Sequence, residues 1–231
     1  MELAQSLSST VGILKINIQL FTAEGPQAVH KLAGLGPGIF LDLKFHDIPN
    51  TVKGAVESAV ALPGVHLLDL HALGGLEMMR AAVKARDEAR DPKSSPKLLA
   101  ITVLTSMDNA ALRGVGIGGP ASRRVVQLAR LAQKAGMDGV VASPQEVRAI
   151  RRACGKKFLI VVPGIRPIAQ AGPTRMRKNK KDDQARIATP AEAIRAGADY
   201  LVVGRPITAA PDPQVAARTI IEEIESALPG N

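Results

Sequence analysis

Residues 39 to 51 read IFLDLKFHDIPNT, and this stretch joins an apolar strand to a cluster of charges. The apolar residues between 39 and 45 are typical of a buried strand, yet Asp42, Lys44 and Asp47 lie in it or beside it. Burying a charge is costly unless the charge is paired, so these three need a partner or a function. Strand periodicity predicts Asp42 and Lys44 on one face, with the intervening leucines on the other.

Seven short apolar runs alternate with amphipathic helical segments along the chain. This alternation predicts parallel strands covered by helices. KAGMDGVVAS and RAGADYLVVGR repeat one pattern of helix end, glycine turn, aspartate and strand, which is typical of closed barrels and also of doubly wound sheets. We find no linker and expect one domain over residues 1–231. The apolar runs are 13–18, 38–44, 65–72, 97–104, 139–143, 158–165 and 200–207.

Composition narrows the class of protein. Hydrophobic residues make up 46% of the chain and charged residues 22%, as in ordinary globular proteins. Four Phe, one Tyr and no Trp argue against a base-stacking surface for single-stranded nucleic acid. The single cysteine, Cys154, fits a reducing compartment, and no membrane-spanning run or signal peptide is evident. We therefore expect a cytoplasmic protein.

The net charge of +9 allows either a polyanionic partner or a small anionic substrate. The densest basic run, RMRKNKK at 175–181, is interpreted as a mobile surface loop. GVGIGG at 114–119 matches a dinucleotide-binding fingerprint, but no strand directly precedes it, so we interpret it as a flexible connection. His46 and His71 lack the spacing of metal ligands and are expected to be packed.

A second cation, Lys15, lies in the apolar run ILKINI, and the adjacent strand could place it beside Asp42. The charges of Lys15, Asp42, Lys44 and Asp47 would then alternate in sign. In a barrel the carboxyl ends of the strands open onto the active site. The alternative is a purely structural network of ion pairs.

Two later strands each end in a glycine followed by a basic residue. VVPGIRP supplies Gly164 and Arg166, and VVGRPI supplies Gly204 and Arg205. Barrels often bind phosphate with the last loops at this end, and the guanidinium fork suits phosphate oxygens. The spacing therefore predicts a phosphate site.

LDLKFHDIPNTV resembles the signature of the orotidine 5′-phosphate decarboxylase family. Its D-x-K-x-x-D core is shared with relatives that act on sugar phosphates. The segments LKINIQLF, LHALGG, ITVLTS, VVPGIRP, DDQARIATP and VVGRPIT follow in the family's order. The resemblance implies a (β/α)₈ TIM-type barrel, and decarboxylation of orotidine 5′-monophosphate to UMP and CO₂ with no cofactor and no metal.

The resemblance also implies roles for residues at the matching positions. Lys44 would protonate C6 of the pyrimidine, Asp42 would face the departing carboxylate, and Lys15 would orient Asp42 and contact the ribose. Asp47 and Thr51 would reach into the neighbouring subunit's site, which implies a homodimer with shared active sites.

The remaining implied contacts concern the base and the phosphate. The loop at 166–188 would close as a lid, and neither nucleic acid nor a membrane is expected as a partner of this small-molecule enzyme. Ile48 would line the shared site, and Thr105 and Ser106 would lie near the pyrimidine. The residues implied at the phosphate are Arg166, Gln184, Gly204 and Arg205.

The match departs from the family at the N-terminus, where a barrel of eight strands would have one more strand than this chain. We expect that strand upstream of Met1. Either the coding start lies too far downstream or the protein is shortened, and the intact chemistry after Met1 favours the first explanation. The alternative functions are a sugar-phosphate decarboxylase or aldolase, and a truncated, inactive barrel that binds a phosphate ligand.

Overall fold

The computed structural model describes residues 1–89, 95–167 and 187–228. Seven strands lie in these ranges, one in each apolar run, so the predicted number and order of strands are confirmed. The strands are β1 (Ile13–Asn17), β2 (Gly38–Phe45), β3 (Val65–His71), β4 (Lys97–Ile101), β5 (Gly139–Val141), β6 (Leu159–Val162) and β7 (Tyr200–Leu201).

Helices separate the strands, as expected for parallel pairing. Two short 3₁₀ turns, Ala72–Gly74 and Pro144–Glu146, precede α5 and α8. The helices in the described ranges are α1 (Glu2–Leu7), α2 (Ile18–Glu24), α3 (Gln27–Ala33), α4 (Pro49–Val60), α5 (Gly75–Ala89), α6 (Asn109–Gly114), α7 (Ala121–Ala135), α8 (Val147–Cys154), α9 (Pro190–Ala196), α10 (Arg205–Thr208) and α11 (Pro213–Glu225).

The chain divides into two compact units. The first contains Met1–Ile101 with Leu131–Gly139, and the second contains Thr102–Arg130 with Val140–Asn231. The expectation of a single domain over residues 1–231 stays a prediction. No helix among the described residues is both long and apolar enough to cross a membrane.

In the first unit, β1 to β4 are parallel neighbours in chain order. In β2, β3 and β4 the buried residues are nearly continuous rather than alternating, which is typical of parallel strands with both faces covered, whereas β1 has only Ile16 buried. Val52 and Val56 of α4 and Met78 and Met79 of α5 are fully or almost fully buried. This packing fixes the strands whose carboxyl ends carry the charged residues.

In the second unit, β5, β6 and β7 are neighbours in that order. A capping box begins α9, with the hydroxyl of Thr189 accepting the N–H of Glu192 and the Glu192 carboxylate accepting the N–H of Thr189. Such reciprocal bonds satisfy two backbone donors that the helix itself leaves unpaired.

The last two strands are shorter than their apolar runs. Strand β6 ends at Val162, because Pro163 has no N–H to donate and Gly164 turns the chain at a φ of 78°. Strand β7 covers Tyr200–Leu201, and the chain enters α10 four residues later. The GVGIGG segment begins at the last residue of α6, so the strand that a dinucleotide fingerprint requires is not there.

Candidate active site

The carboxyl end of β2 departs from regular strand geometry at the charged residues. Leu41 pairs with Leu68 of β3, but the next pair is Phe45 with Leu70, so four steps along β2 face two steps along β3. Lys44 has a φ of 53°, and it is the one non-glycine residue with positive φ in the described ranges. This left-handed conformation costs a residue with a Cβ about 1–2 kcal/mol, so a compensating contact is expected.

Three of the four predicted charges form a chain of ion pairs. Nζ of Lys15 lies 2.8 Å from Oδ2 of Asp42, and Nζ of Lys44 donates to Oδ1 of the same carboxylate. The side chain of Asp42 is 9% exposed, while those of Lys15 and Lys44 are 31% and 34% exposed. The predicted meeting of Lys15 and Asp42 across adjacent strands is confirmed. The two ammonium groups thus reach solvent while the carboxylate between them does not.

The compensating contact for Lys44 comes from Asp69, a fully buried residue of β3. Its Oδ1 accepts the backbone N–H of Lys44 at 2.8 Å. An irregular strand segment leaves backbone groups without ladder partners, and a buried N–H requires an acceptor. The carboxyl group of Asp69 therefore takes the place of a strand carbonyl at the irregularity.

The two buried carboxyl groups have opposite protonation preferences. Burial alone raises the pKa of Asp42, but a hydrogen bond with Asp69 and the charges and bonds of Lys15 and Lys44 outweigh it and lower the pKa. Burial, followed by the negative charge of Asp42, raises the pKa of Asp69 well above 3.8. The arrangement therefore favours the ionised form of Asp42 and the protonated form of Asp69. Two ammonium groups face one carboxylate, so the cluster of Lys15, Asp42 and Lys44 carries a net positive charge.

Two histidines lie beside this network. His71 is half-buried, but His46 is exposed, so the expectation that both are packed is wrong for His46. The rings of His46 and His71 have centroids 5.2 Å apart. Burial, together with the nearby His46 and Lys44, lowers the pKa of His71 to about 4. Gly74 lies against His46, because a Cβ there would stand 3.3 Å from Cδ2 of His46 and would overlap the side chain of Met78. In the described residues, no group of three His, Cys, Asp or Glu side chains could hold a metal ion.

Asp47 is not part of the ion-pair chain. It is exposed, and its Oδ1 accepts the N–H of the next residue, Ile48, at 2.6 Å. Ile48 is 66% exposed and precedes α4, whose third residue is the exposed Thr51. An open pocket of about 550 Å³ lies here, lined by His46, Asp47, Ile48, Pro49, Leu73 and Gly74.

The residues predicted to contact the base and the phosphate belong to the second unit. Thr105 and Ser106 form a turn after β4, and Thr105 is half-buried. The guanidinium Nη1 of Arg166 donates a hydrogen bond to the carbonyl of Ile165 at 2.9 Å. The backbone N–H of Arg166 donates to the carbonyl of Ala188 at 3.0 Å. Gln184, and residues 168–186 of the predicted lid, lie outside the described residues.

Gly204 immediately precedes α10, and Arg205 is its first residue. Both are exposed. A helix of only four residues has a weak dipole, so the guanidinium of Arg205 is the principal charge that this segment offers to an anion.

The sequence prediction missed Asp69. A charged residue inside the apolar run VHLLDLH is the same signal that singled out Asp42, so the residue could have been found. The hydrogen bond from the Lys44 N–H to Asp69 could not have been predicted, because it depends on the irregular pairing of β2 with β3.

Comparison with known proteins identifies the family. The model of the orotidine 5′-phosphate decarboxylase / HUMPS family matches residues 1–220. The chain belongs to this family. It is 54% identical over 224 residues to an orotidine 5′-phosphate decarboxylase of Geobacter sp. (strain M21), with 96% of this chain and 88% of the relative covered. The corresponding protein of Moorella thermoacetica is 52% identical over 227 residues, with coverage of 97% and 86%.

Two solved structures that are similar to this chain give the fold. The crystal structure of an orotidine 5′-phosphate decarboxylase from Lactobacillus acidophilus has a TM-score of 0.76 and 38% identity, and the match covers 91% of this chain and 85% of that one. An uncharacterized conserved protein from Geobacillus kaustophilus has a TM-score of 0.81 and 33% identity, with 96% and 93% covered. The predicted TIM-type α/β fold class is thereby confirmed.

Proposed function

We propose that this protein decarboxylates orotidine 5′-monophosphate to UMP and CO₂ in pyrimidine biosynthesis. The observation that carries the proposal is the buried Asp42 carboxylate between the ammonium groups of Lys15 and Lys44, in a chain of the decarboxylase family. Decarboxylation leaves an electron pair on C6 that the pyrimidine ring does not delocalise. A fixed ammonium group can stabilise this charge as it develops and then protonate it.

Lys44 is the proposed proton donor. As the bond from C6 to the carboxylate carbon breaks, CO₂ leaves, the electron pair stays on C6, and a proton from the Lys44 ammonium forms the new C–H bond. The neutral amine then regains a proton from solvent. The left-handed backbone of Lys44 and its bond to Asp42 hold the ammonium before substrate arrives, so little reorganisation is needed during the reaction.

Asp42 and Lys15 are proposed to prepare the site for Lys44. Asp42 would face the departing carboxylate, and its ionised state also keeps the Lys44 ammonium paired. Lys15 would hold the second oxygen of Asp42 and contact the ribose. The net positive charge left by these groups suits a substrate with a carboxylate and a phosphate.

The phosphate and base contacts are proposed from the family resemblance. Arg205 would bind phosphate oxygens through its guanidinium fork, with Arg166, Gln184 and Gly204 completing the phosphate site. Thr105 and Ser106 would contact the pyrimidine. The exposure of Arg205 supports this assignment, because an anion can reach the side chain.

We further propose a homodimer with shared active sites. Asp47, Ile48 and Thr51 are all exposed, although Ile48 is apolar, and Asp47 and Ile48 line an open pocket just before α4. A partner subunit that covered this surface would bury Ile48. Asp47 would then lie close to the substrate bound in the partner subunit. A single cysteine, Cys154, cannot form a disulfide within the chain and fits a reducing compartment, so we propose a cytoplasmic location.

The test is the loss of orotidine 5′-monophosphate absorbance with purified protein, in buffer with EDTA. We expect steady turnover that EDTA does not reduce, with UMP as the product. Turnover that stops with EDTA and returns with a divalent metal would contradict the cofactor-free reaction. No turnover by correctly folded protein, at any substrate concentration tested, would contradict the proposed activity itself.

A further inference from the structure

Asp69 is a buried acid next to the catalytic charges, and the proposed mechanism assigns it no role. We propose that Asp69 is a positioning residue, which holds the Lys44 ammonium in place by bonding the Lys44 backbone and the Asp42 carboxylate. This inference rests on the proposed decarboxylase function for its kinetic consequence. Its structural consequence, the placement of Lys44, can be measured without turnover.

The first support is the location of Asp69 opposite the irregular part of β2. The segment of β2 from Leu41 to Phe45 faces only Leu68 to Leu70 of β3, and Asp69 is the middle residue of that short segment. A bulge of this kind turns a side chain to a direction that a regular strand does not allow. Here the turned residue is Lys44, and the Asp69 carboxyl accepts its N–H at 2.8 Å.

The second support is the other carboxyl oxygen of Asp69. Oδ2 is buried and has no hydrogen-bond donor among the described residues. The negative charge of Asp42 contributes to the raised pKa of Asp69, and two buried carboxyl groups are compatible when one of them keeps a proton. A proton on Asp69 lets Oδ2 donate to Asp42, which satisfies the buried oxygen and leaves the negative charge on Asp42.

The charged and titratable groups around Asp69 agree with this arrangement. Asp42 and Lys44 face it from β2, and Lys15 reaches Asp42 from β1. On the other side of Asp69, β4 presents Leu99, which does not titrate. The cations bond Asp42 directly, while Asp69 receives only the backbone N–H of Lys44. Ionising Asp69 as well would therefore add a negative charge without a cation of its own.

Loss of both bonds has a specific consequence for the reaction. The Lys44 N–H would be buried without an acceptor, and the backbone would relax from the left-handed conformation. The ammonium would then leave its place beside Asp42. Because Lys44 acts on the transition state, we expect kcat to fall while KM changes little.

The experiment compares two substitutions of Asp69 with a control. Asp69→Asn keeps an oxygen for the Lys44 N–H and an amide donor for Asp42, so we expect kcat within about threefold of the parent protein. Asp69→Ala keeps neither bond, and we expect kcat to fall by about 100-fold, as for other small misplacements of a catalytic group. If the alanine variant does not fold, Asp69→Leu fills the volume without making either bond.

The control is Asp138→Ala in the same unit. Oδ2 of Asp138 also accepts the backbone N–H of a strand residue, Leu98, at 2.9 Å. Neither residue is a sequence neighbour of Lys44. Loss of this bond, together with the ion pairs that Asp138 forms with Arg86 and Lys97, should lower the thermal midpoint and leave kcat within about twofold, because no reacting group moves. The control separates loss of a buried bond in general from loss of the bond that holds Lys44.

A second measurement tests the placement of Lys44 directly. Acetylation of lysines in the substrate-free protein, followed by mass spectrometry, gives the labelling rate of Lys44 relative to the exposed Lys31. We expect this ratio to rise severalfold in Asp69→Ala or Asp69→Leu, and to stay unchanged in Asp69→Asn. This readout remains valid if the parent protein shows no turnover, so failure of the proposed function would not be mistaken for failure of this inference.

Two results would overturn the inference. One is a folded Asp69→Asn variant whose kcat falls as far as that of Asp69→Ala or Asp69→Leu, since the amide can make both bonds. The other is an unchanged Lys44 labelling ratio in a folded variant that lacks both bonds.

Discussion

Lys15 and Asp42 lie on adjacent parallel strands, and 2.8 Å separates the ammonium nitrogen from a carboxylate oxygen that is almost fully buried. The other oxygen of the carboxylate bonds Lys44. Asp42 therefore links two cations that would repel each other without it. Its low pKa depends in part on the charge of Lys15, so the two strands share one electrostatic unit.

Lys15→Met should lower kcat by about 100-fold or more, because it removes one of the charges that preorganise the site. The methionine keeps the length of the side chain but not its charge, and the pKa of Asp42 should rise. The measurement is kcat with saturating substrate. Lys31→Met is the matched control, since its exposed ion pair with Glu24, at 3.0 Å, contributes little. Full activity of Lys15→Met would show that the ion pair is only structural.

Lys44→Ala should abolish turnover while leaving binding of UMP measurable. The substitution removes the proposed proton donor, whereas the proposed phosphate contacts of Arg166 and Arg205 are untouched. Calorimetric titration with UMP, in parallel with the absorbance assay, measures both quantities. Residual turnover near the parent rate would rule out Lys44 as the proton donor.

A 1:1 mixture of Lys44→Ala and Asp47→Ala proteins should recover activity if sites are shared. Each mixed dimer would hold one site with both residues intact, so random exchange predicts about a quarter of the parent activity. The mixture is incubated in mild denaturant, returned to buffer and assayed. Each variant treated alone is the control, and no recovery after proven exchange of subunits would contradict the shared site.

The sequence predicted the strands and the Lys15–Asp42 pair because both follow from local pattern. Continuous apolar runs identify parallel strands, and neighbouring strands bring residues at their carboxyl ends together. A cation and an anion in consecutive apolar runs are therefore expected to lie close enough to form an ion pair. No long-range detail was needed for that part of the site.

The irregularity at Lys44 lay beyond such reasoning. Alternation along β2 predicts that Asp42 and Lys44 share a face, but it assumes an even strand, and the pairing with β3 is uneven. The left-handed φ of Lys44 follows from that pairing, which contacts distant in sequence decide. The apolar runs also overestimate the lengths of β6 and β7, because Pro163 and Gly164 end β6 and the chain enters α10 soon after β7.

His71→Gln should make the protein less sensitive to acid. The pKa of His71 is about 4 in the folded chain and near 6.5 when unfolded, so between these values the unfolded chain binds more protons. The contribution of His71 to folding stability is fully present above pH 6.5 and is lost as the pH falls toward 4. The pKa of Asp42 is lowered below 3.8, so its contribution is lost only under more acidic conditions.

The measurement is the thermal midpoint of parent and variant from pH 7.5 to pH 4.5. We expect the thermal midpoint of the parent to fall further than that of His71→Gln across this interval. The difference between the two midpoints at each pH cancels the contribution of all other groups. The exposed His30→Gln on α3 serves as control and should follow the parent. Parallel curves for the parent and His71→Gln would contradict the low pKa of His71.

Asp199→Ala should destabilise the protein without changing kcat. Asp138 and Asp199 occupy matching positions in the two repeated segments, and each carboxylate accepts the N–H of a residue in the preceding strand. Ile160 donates to Asp199 at 2.7 Å, and Arg151 bonds the same carboxylate at 2.6 Å while also bonding the carbonyl of Gly197. One acid thus joins the start of β7, the start of β6 and α8.

Removing this acceptor leaves a strand N–H unpaired and frees Arg151 from its charge partner. The unpaired donor alone should cost about 1–3 kcal/mol of unfolding free energy. Urea unfolding followed by circular dichroism measures the loss, and kcat determined well below the unfolding midpoint should match the parent. Asp212→Ala, which removes only a helix cap at Val215, should cost about 1 kcal/mol and sets the scale for a single exposed bond. A loss for Asp199→Ala no larger than this would show that the repeated aspartate does not join the strands.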